Sequence, residues 1–133
     1  RRGEGAWLAG RTLYFTTTAD HRLWTLDVDS GQLEVCYDGE TAGTTGVLRE
    51  PDNVTVHAKR GTVFVAEDSD DLQLVLLNGC SGRRVVAPFL QLVGHNRSEL
   101  TGPVFSPDGQ RLYFSSQRGR DGRGMTFEIA GPF

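Results

Sequence analysis

Three stretches of this chain share one form, and their spacing constrains the fold more than any other feature. They are Gly10-Arg11-Thr12-Leu13-Tyr14-Phe15-Thr16, Gly61-Thr62-Val63-Phe64-Val65-Ala66 and Gly109-Gln110-Arg111-Leu112-Tyr113-Phe114-Ser115. Each is a turn glycine followed by a run of β-branched and aromatic residues. Leu13, Val63 and Leu112 lie 50 and 49 residues apart, the period of a kelch-sized propeller blade.

Within each unit the β-forming residues fall in short runs bounded by Gly, Asp, Asn or Pro, which is strand punctuation. Helix signals are nearly absent. The first unit reads as strands at about Gly5–Leu8, Thr12–Thr17, Arg22–Asp27 and Leu33–Tyr37, with Asp29-Ser30-Gly31 closing the third hairpin. The second reads as Asn53–His57, Thr62–Ala66, Gln73–Leu77 and Arg84–Ala87, with Asn78-Gly79 as a tight turn. The third has only Pro103–Ser106, Arg111–Ser116 and Met125–Ile129. The expected fold is therefore all-β: about three antiparallel propeller blades, at 3–38, 50–89 and 99–133, the third incomplete. A β-sandwich is the competing architecture, but sandwiches need no fifty-residue period.

With 133 residues, the chain predicts one domain. Propellers have about four to eight blades, so three blades imply part of a larger ring or a self-associating half. The start at Arg1-Arg2-Gly3, without Met or an apolar leader, reads as a processed or excised segment. The net charge of −3 gives no basic field for a phosphate backbone, which disfavours a nucleic-acid partner. No apolar stretch reaches membrane-helix length. Cys36 and Cys80 are too few for a thiolate zinc site, and whether they pair is left open.

Strand polarity places a candidate site. In an up-and-down sheet, the start of the first strand and the end of the second lie at the same edge. The segments there are Gly3-Glu4-Gly5, Arg49-Glu50-Pro51-Asp52-Asn53 and Ser98-Glu99-Leu100, joined by Glu67-Asp68-Ser69-Asp70-Asp71 and Ser116-Gln117-Arg118. Acids accumulate on one rim. Crowded carboxylates take up protons or a cation. Oxygen donors from Glu4, Glu50, Asp52, Asn53 and Glu99 suit a hard cation such as calcium; the alternative is that they are turn formers. Arg118 is a candidate phosphate clamp, whereas Arg120 and Arg123 read as hairpin residues. His21, His57 and His95 have no ligand spacing and read as structural or exposed. No nucleophile elbow, phosphate loop or dinucleotide fingerprint occurs, and no catalytic residue is assigned.

The ordered elements Gly3-Glu4-Gly5-Ala6-Trp7, Pro51-Asp52-Asn53-Val54-Thr55-Val56, Ala66-Glu67-Asp68, Ser98-Glu99-Leu100-Thr101-Gly102-Pro103, Phe105-Ser106-Pro107-Asp108-Gly109 and Gly131-Pro132-Phe133 resemble the PhoX-type alkaline phosphatases. The resemblance implies the C-terminal part of an exported six-bladed propeller whose channel holds calcium and iron and hydrolyses phosphomonoesters. It implies that Glu4 and Asp52 are metal ligands and that the iron-anchoring Asp and Cys lie upstream. It also implies a phosphate-binding Arg before the proline, where this chain has Glu50. The chain by itself is expected to be inactive. Its partners would be a phosphorylated small molecule and either the rest of the ring or a second copy. Phe-Ser-Pro-Asp-Gly is also similar to Tol-Pal-type propeller repeats, which makes a noncatalytic interaction module the alternative.

Overall fold

A computed structural model of the chain describes residues 2–42, 46–68, 71–80, 84–95 and 97–133. Its strands are β1 (Gly3–Ala9), β2 (Thr12–Thr17), β3 (Arg22–Asp27), β4 (Leu33–Asp38), β5 (Pro51–Val56), β6 (Val63–Glu67), β7 (Gln73–Asn78), β8 (Val85–Gln91), β9 (Leu100–Phe105), β10 (Arg111–Ser116) and β11 (Met125–Ala130). They form three antiparallel meanders of four, four and three strands, in the orders β1-β2-β3-β4, β5-β6-β7-β8 and β9-β10-β11. The fold class is all-β, as the repeat requires. The repeat glycines Gly10, Gly61 and Gly109 have φ of 60°, 69° and 74°, the left-handed conformation that a side chain resists.

Several strands are longer than their sequence signal, β1, β8 and β9 most of all. β8 continues past Pro88 to Gln91 because it is an outer edge strand, where a missing N–H breaks no ladder. β9 begins at Leu100, whose side chain is fully buried. One helical turn, α1 (Gly39–Ala42), follows β4; the Asp38 carboxylate caps it by accepting the Glu40 amide at 3.0 Å.

The second sheet lies between the other two. Alternation along β6 turns Val63 and Val65 to one face and Phe64 and Ala66 to the other. Val63 and Val65 join Leu23, Tyr37, Val54, Val56, Val75 and Leu77 in a core against the first sheet. Phe64 and Ala66 join Leu72, Leu74, Leu100, Leu112 and Phe114 in a core against the third. Cys36 on β4 and Cys80 beyond β7 form a disulfide, with Cα atoms 4.6 Å apart, that ties the first sheet to the second. The pairing left open by the sequence is thereby settled. The first strands also meet across sheets, β1 against β5 and β5 against β9, which brings the starts of the three units together.

Candidate functional site: an acidic rim

Each hairpin of first and second strands ends at the rim with one backbone bond. Thr18 N–H donates to Arg2 O, Asp68 N–H to Glu50 O, and Gln117 N–H to Glu99 O, at 3.0, 3.0 and 2.9 Å. Counted from these bonds, Arg2, Glu50 and Glu99 occupy one level of the rim, and Glu4, Asp52 and Thr101 the level two residues further in. Glu4 and Asp52 are thus equivalent, whereas Thr101 holds that place in the third unit and Glu99 matches Glu50. The ladder is irregular there in all three sheets, between Gly3 and Ala6, between Pro51 and Val54, and opposite Tyr113 and Ser115. Bulges of this kind re-aim side chains next to sites.

Gly5 lets β1 and β5 approach closely. A Cβ on Gly5 would stand 2.6 Å from the Asn53 Cα and 2.7 Å from the Asp52 carbonyl oxygen. The buried Thr16 hydroxyl fills the corner, accepting the Gly5 amide at 2.9 Å and donating to the Asp52 carbonyl. Thr18 Oγ1 donates to the Pro51 carbonyl at 3.0 Å. On the other side, Asn53 Oδ1 accepts from Thr101 Oγ1 at 3.1 Å and from the Gly102 amide at 2.9 Å. Its Nδ2 donates to Asp52 Oδ1 at 2.9 Å. The Asn53 oxygen therefore has both lone pairs engaged, so this residue ties β5 to β9 and steadies Asp52.

The electrostatics mark Asp52 as the centre of the rim. Burial, together with the charges of Glu4, Asp68 and Glu99, pushes its carboxyl up to about 6, against the opposing Asn53 hydrogen bond. Burial and then Glu99 and Glu50 raise Asp68 as well, partly offset by Arg118 and Arg2. Five acids, Glu4, Glu50, Asp52, Asp68 and Glu99, thus share one field. Two arginines answer it: Arg2 pairs with Glu4 at 3.2 Å, and Arg118 pairs with Glu99 and donates to the Arg97 carbonyl. Among the described residues, no three His, Cys, Asp or Glu side chains are grouped closely enough to hold one metal ion.

The topology brings Glu4, Glu50, Asp52, Asn53, Glu99 and Arg118 to a common rim. Asp68 lies there too, where the rule that a second strand ends at the start of the first places the run that follows β6. The rest of the acidic run divides: Glu67 is buried and accepts the Arg49 amide at 2.7 Å, while Ser69 and Asp70 lie outside the described residues. Arg123 pairs with Asp121 at 3.8 Å within the β10–β11 connection. His57 lies at the far end of β5, buried and hydrogen bonded to Gly109 O at 3.1 Å.

The sequence model of the family described as alkaline phosphatase PhoX matches residues 9–119. That span contains Glu50, Asp52, Asn53, Asp68, Glu99 and Arg118, and Glu4 precedes it. A comparison with curated proteins returned no match.

Proposed function

Because the chain belongs to the alkaline phosphatase PhoX family, we propose that its acidic rim is one part of a metal-assisted phosphomonoester hydrolase. The observation that carries this reading is the equivalence of Glu4 and Asp52 on adjoining strands, with Asp52 held where its own negative charge is disfavoured. Carboxylates with unbalanced charge are the donors a hard cation takes, and because no three of them are grouped closely enough among the described residues, the remaining ligands would come from the rest of the ring. Glu4 and Asp52 would hold it, with Glu50, Asp68 and Glu99 within its field. Calcium is the cation proposed. When bound, it would stabilise charge on the transferring phosphoryl group.

The chain's own residues have separate tasks. Asn53 orients the Asp52 carboxylate through its amide. Thr16 and Gly5 set the distance between the strands that carry the two acids. Arg118 offers a guanidinium at the same rim, suited to two phosphoryl oxygens. Both cysteines are engaged in the disulfide, so an iron site in the complete protein would take its thiolate from elsewhere. The three sheets would be consecutive blades of a larger propeller at 3–38, 50–89 and 99–133, completed by the rest of the ring or by a second copy. Members of the family are exported, and a disulfide between sheets suits an oxidising compartment. Among the described residues, no helix is long and apolar enough to cross a membrane.

Glu50 favours a second reading. It stands where the family resemblance implies a phosphate-binding arginine, so a noncatalytic rim that binds a ligand or protein is the alternative. Phosphomonoesterase assay of the full-length protein in calcium separates the two. Activity that Glu4→Gln abolishes supports the enzyme, and wild-type activity equal to background supports the binding module.

A further inference from the structure

Behind Arg118 runs a chain of buried polar side chains with no part in the cation site. His95 Nδ1 lies 2.9 Å from Ser116 Oγ, Ser116 Oγ donates to Ser98 Oγ at 2.7 Å, and Ser98 Oγ accepts the Arg118 amide at 2.8 Å. His95, Ser98 and Ser116 are 6%, 8% and 0% exposed. One proton order runs through all three: His95 Nδ1–H donates to Ser116, Ser116 donates to Ser98, and Ser98 donates to the Glu99 carbonyl at 3.4 Å. The imidazole is steadied edge-on against Phe127, with ring centres 6.0 Å apart.

We infer that His95, Ser116 and Ser98 are positioning residues for Arg118, aligning its guanidinium at the rim to take a phosphoryl group; this rests on the phosphatase reading given above. The chain draws its side chains from three segments: the β8–β9 connection, the end of β10, and the start of the β10–β11 connection. Ser98 is the node. It fixes the Arg118 backbone through the amide and the Glu99 backbone through the carbonyl, so both ends of the Arg118–Glu99 ion pair are set by one hydroxyl. Three buried polar groups in a place that apolar side chains would fill are worth keeping only when fully satisfied, and such networks specify one geometry. The sequence reading of His95 as structural or exposed is compatible with this, and the partner that gives the imidazole its place, Ser116, lies 21 residues away, beyond what ligand spacing can signal.

The test uses amide hydrogen exchange and titration with inorganic phosphate in calcium, on wild type, Ser98→Ala, His95→Ala and His95→Asn. Losing one buried hydrogen bond should lower protection of the Arg118 amide about tenfold in the two alanine variants. The β6 amides should keep theirs, which shows that the fold persists. Phosphate affinity should fall by a similar factor, and His95→Asn should restore both, since the asparagine Nδ2 replaces the imidazole Nδ1–H. Unchanged Arg118 exchange in Ser98→Ala overturns the inference, as does unchanged phosphate affinity once protection is lost. If the wild type binds no phosphate but Arg118 exchange responds as expected and is rescued, the positioning stands and the phosphatase reading fails.

Discussion

The Thr16 hydroxyl donates to the backbone carbonyl of Asp52, 36 residues away, so the first sheet grips the second at the residue where the rim's charges converge. Packing of the sheets and assembly of the site are therefore one event. A change that moves β1 from β5 alters stability and the acid cluster together.

Gly5→Ala tests that coupling. The added methyl has no room against the Asn53 and Asp52 backbones, and overpacking of this kind costs about 1–3 kcal/mol. Thermal unfolding of the variant should show a lower midpoint. A midpoint equal to wild type would mean that the strands part without cost.

Asp52→Asn should stabilise the cation-free chain at neutral pH. A carboxyl raised from 3.8 to about 6 favours folding in full below its unfolded value, and that contribution is lost as pH rises through 6. Because Asp52 is only half-buried, solvent screening reduces the effect to about 1 kcal/mol. Melting in EDTA should place the variant above wild type at pH 7.5, with the gap narrowing as pH falls through 6 and closing only below the unfolded value of 3.8. A gap of the same size across that range would assign it to packing.

Reduction of Cys36–Cys80 should lower the melting midpoint. A bridge spanning 44 residues restricts the unfolded chain by about 4 kcal/mol in the chain-entropy model. Cys36→Ser with Cys80→Ser should match the reduced protein. Equal midpoints for oxidised and reduced chains would show that the two cores alone hold the sheets in place.

Asn53→Ala removes both hydrogen bonds to the third sheet, leaving Thr101 Oγ1 and the Gly102 amide without that partner. Loss of about 1–3 kcal/mol is expected, with faster hydrogen exchange at Gly102. Unaltered exchange there would rule out Asn53 as the link between β5 and β9.

Local pattern carried the fold. Leu13, Val63 and Leu112 announce three hairpins because alternation and turn glycines act within a few residues. The strand read over Arg84–Ala87 stopped short of β8 for the opposite reason: only a place on an outer edge makes Pro88 harmless there, and edge position is a property of the whole sheet. The rim was legible in outline, since antiparallel strands must return to the edge they left. Its inner arrangement was not. The equivalence of Glu99 with Glu50, and of Thr101 with Asp52, depends on backbone register, and the split between a buried Glu67 and an Asp68 in the rim's field depends on which way each side chain faces. The bond between Cys36 and Cys80 required the angle between two sheets, which no spacing encodes.

Calcium-dependent melting of the chain, beside Glu4→Gln and Asp52→Asn, bears most directly on the proposed cation site, because an ion that binds only the folded state must raise the midpoint. Millimolar calcium should raise the wild-type midpoint and leave both variants unmoved. An equal rise in all three, or none in the wild type, would contradict a cation held by Glu4 and Asp52.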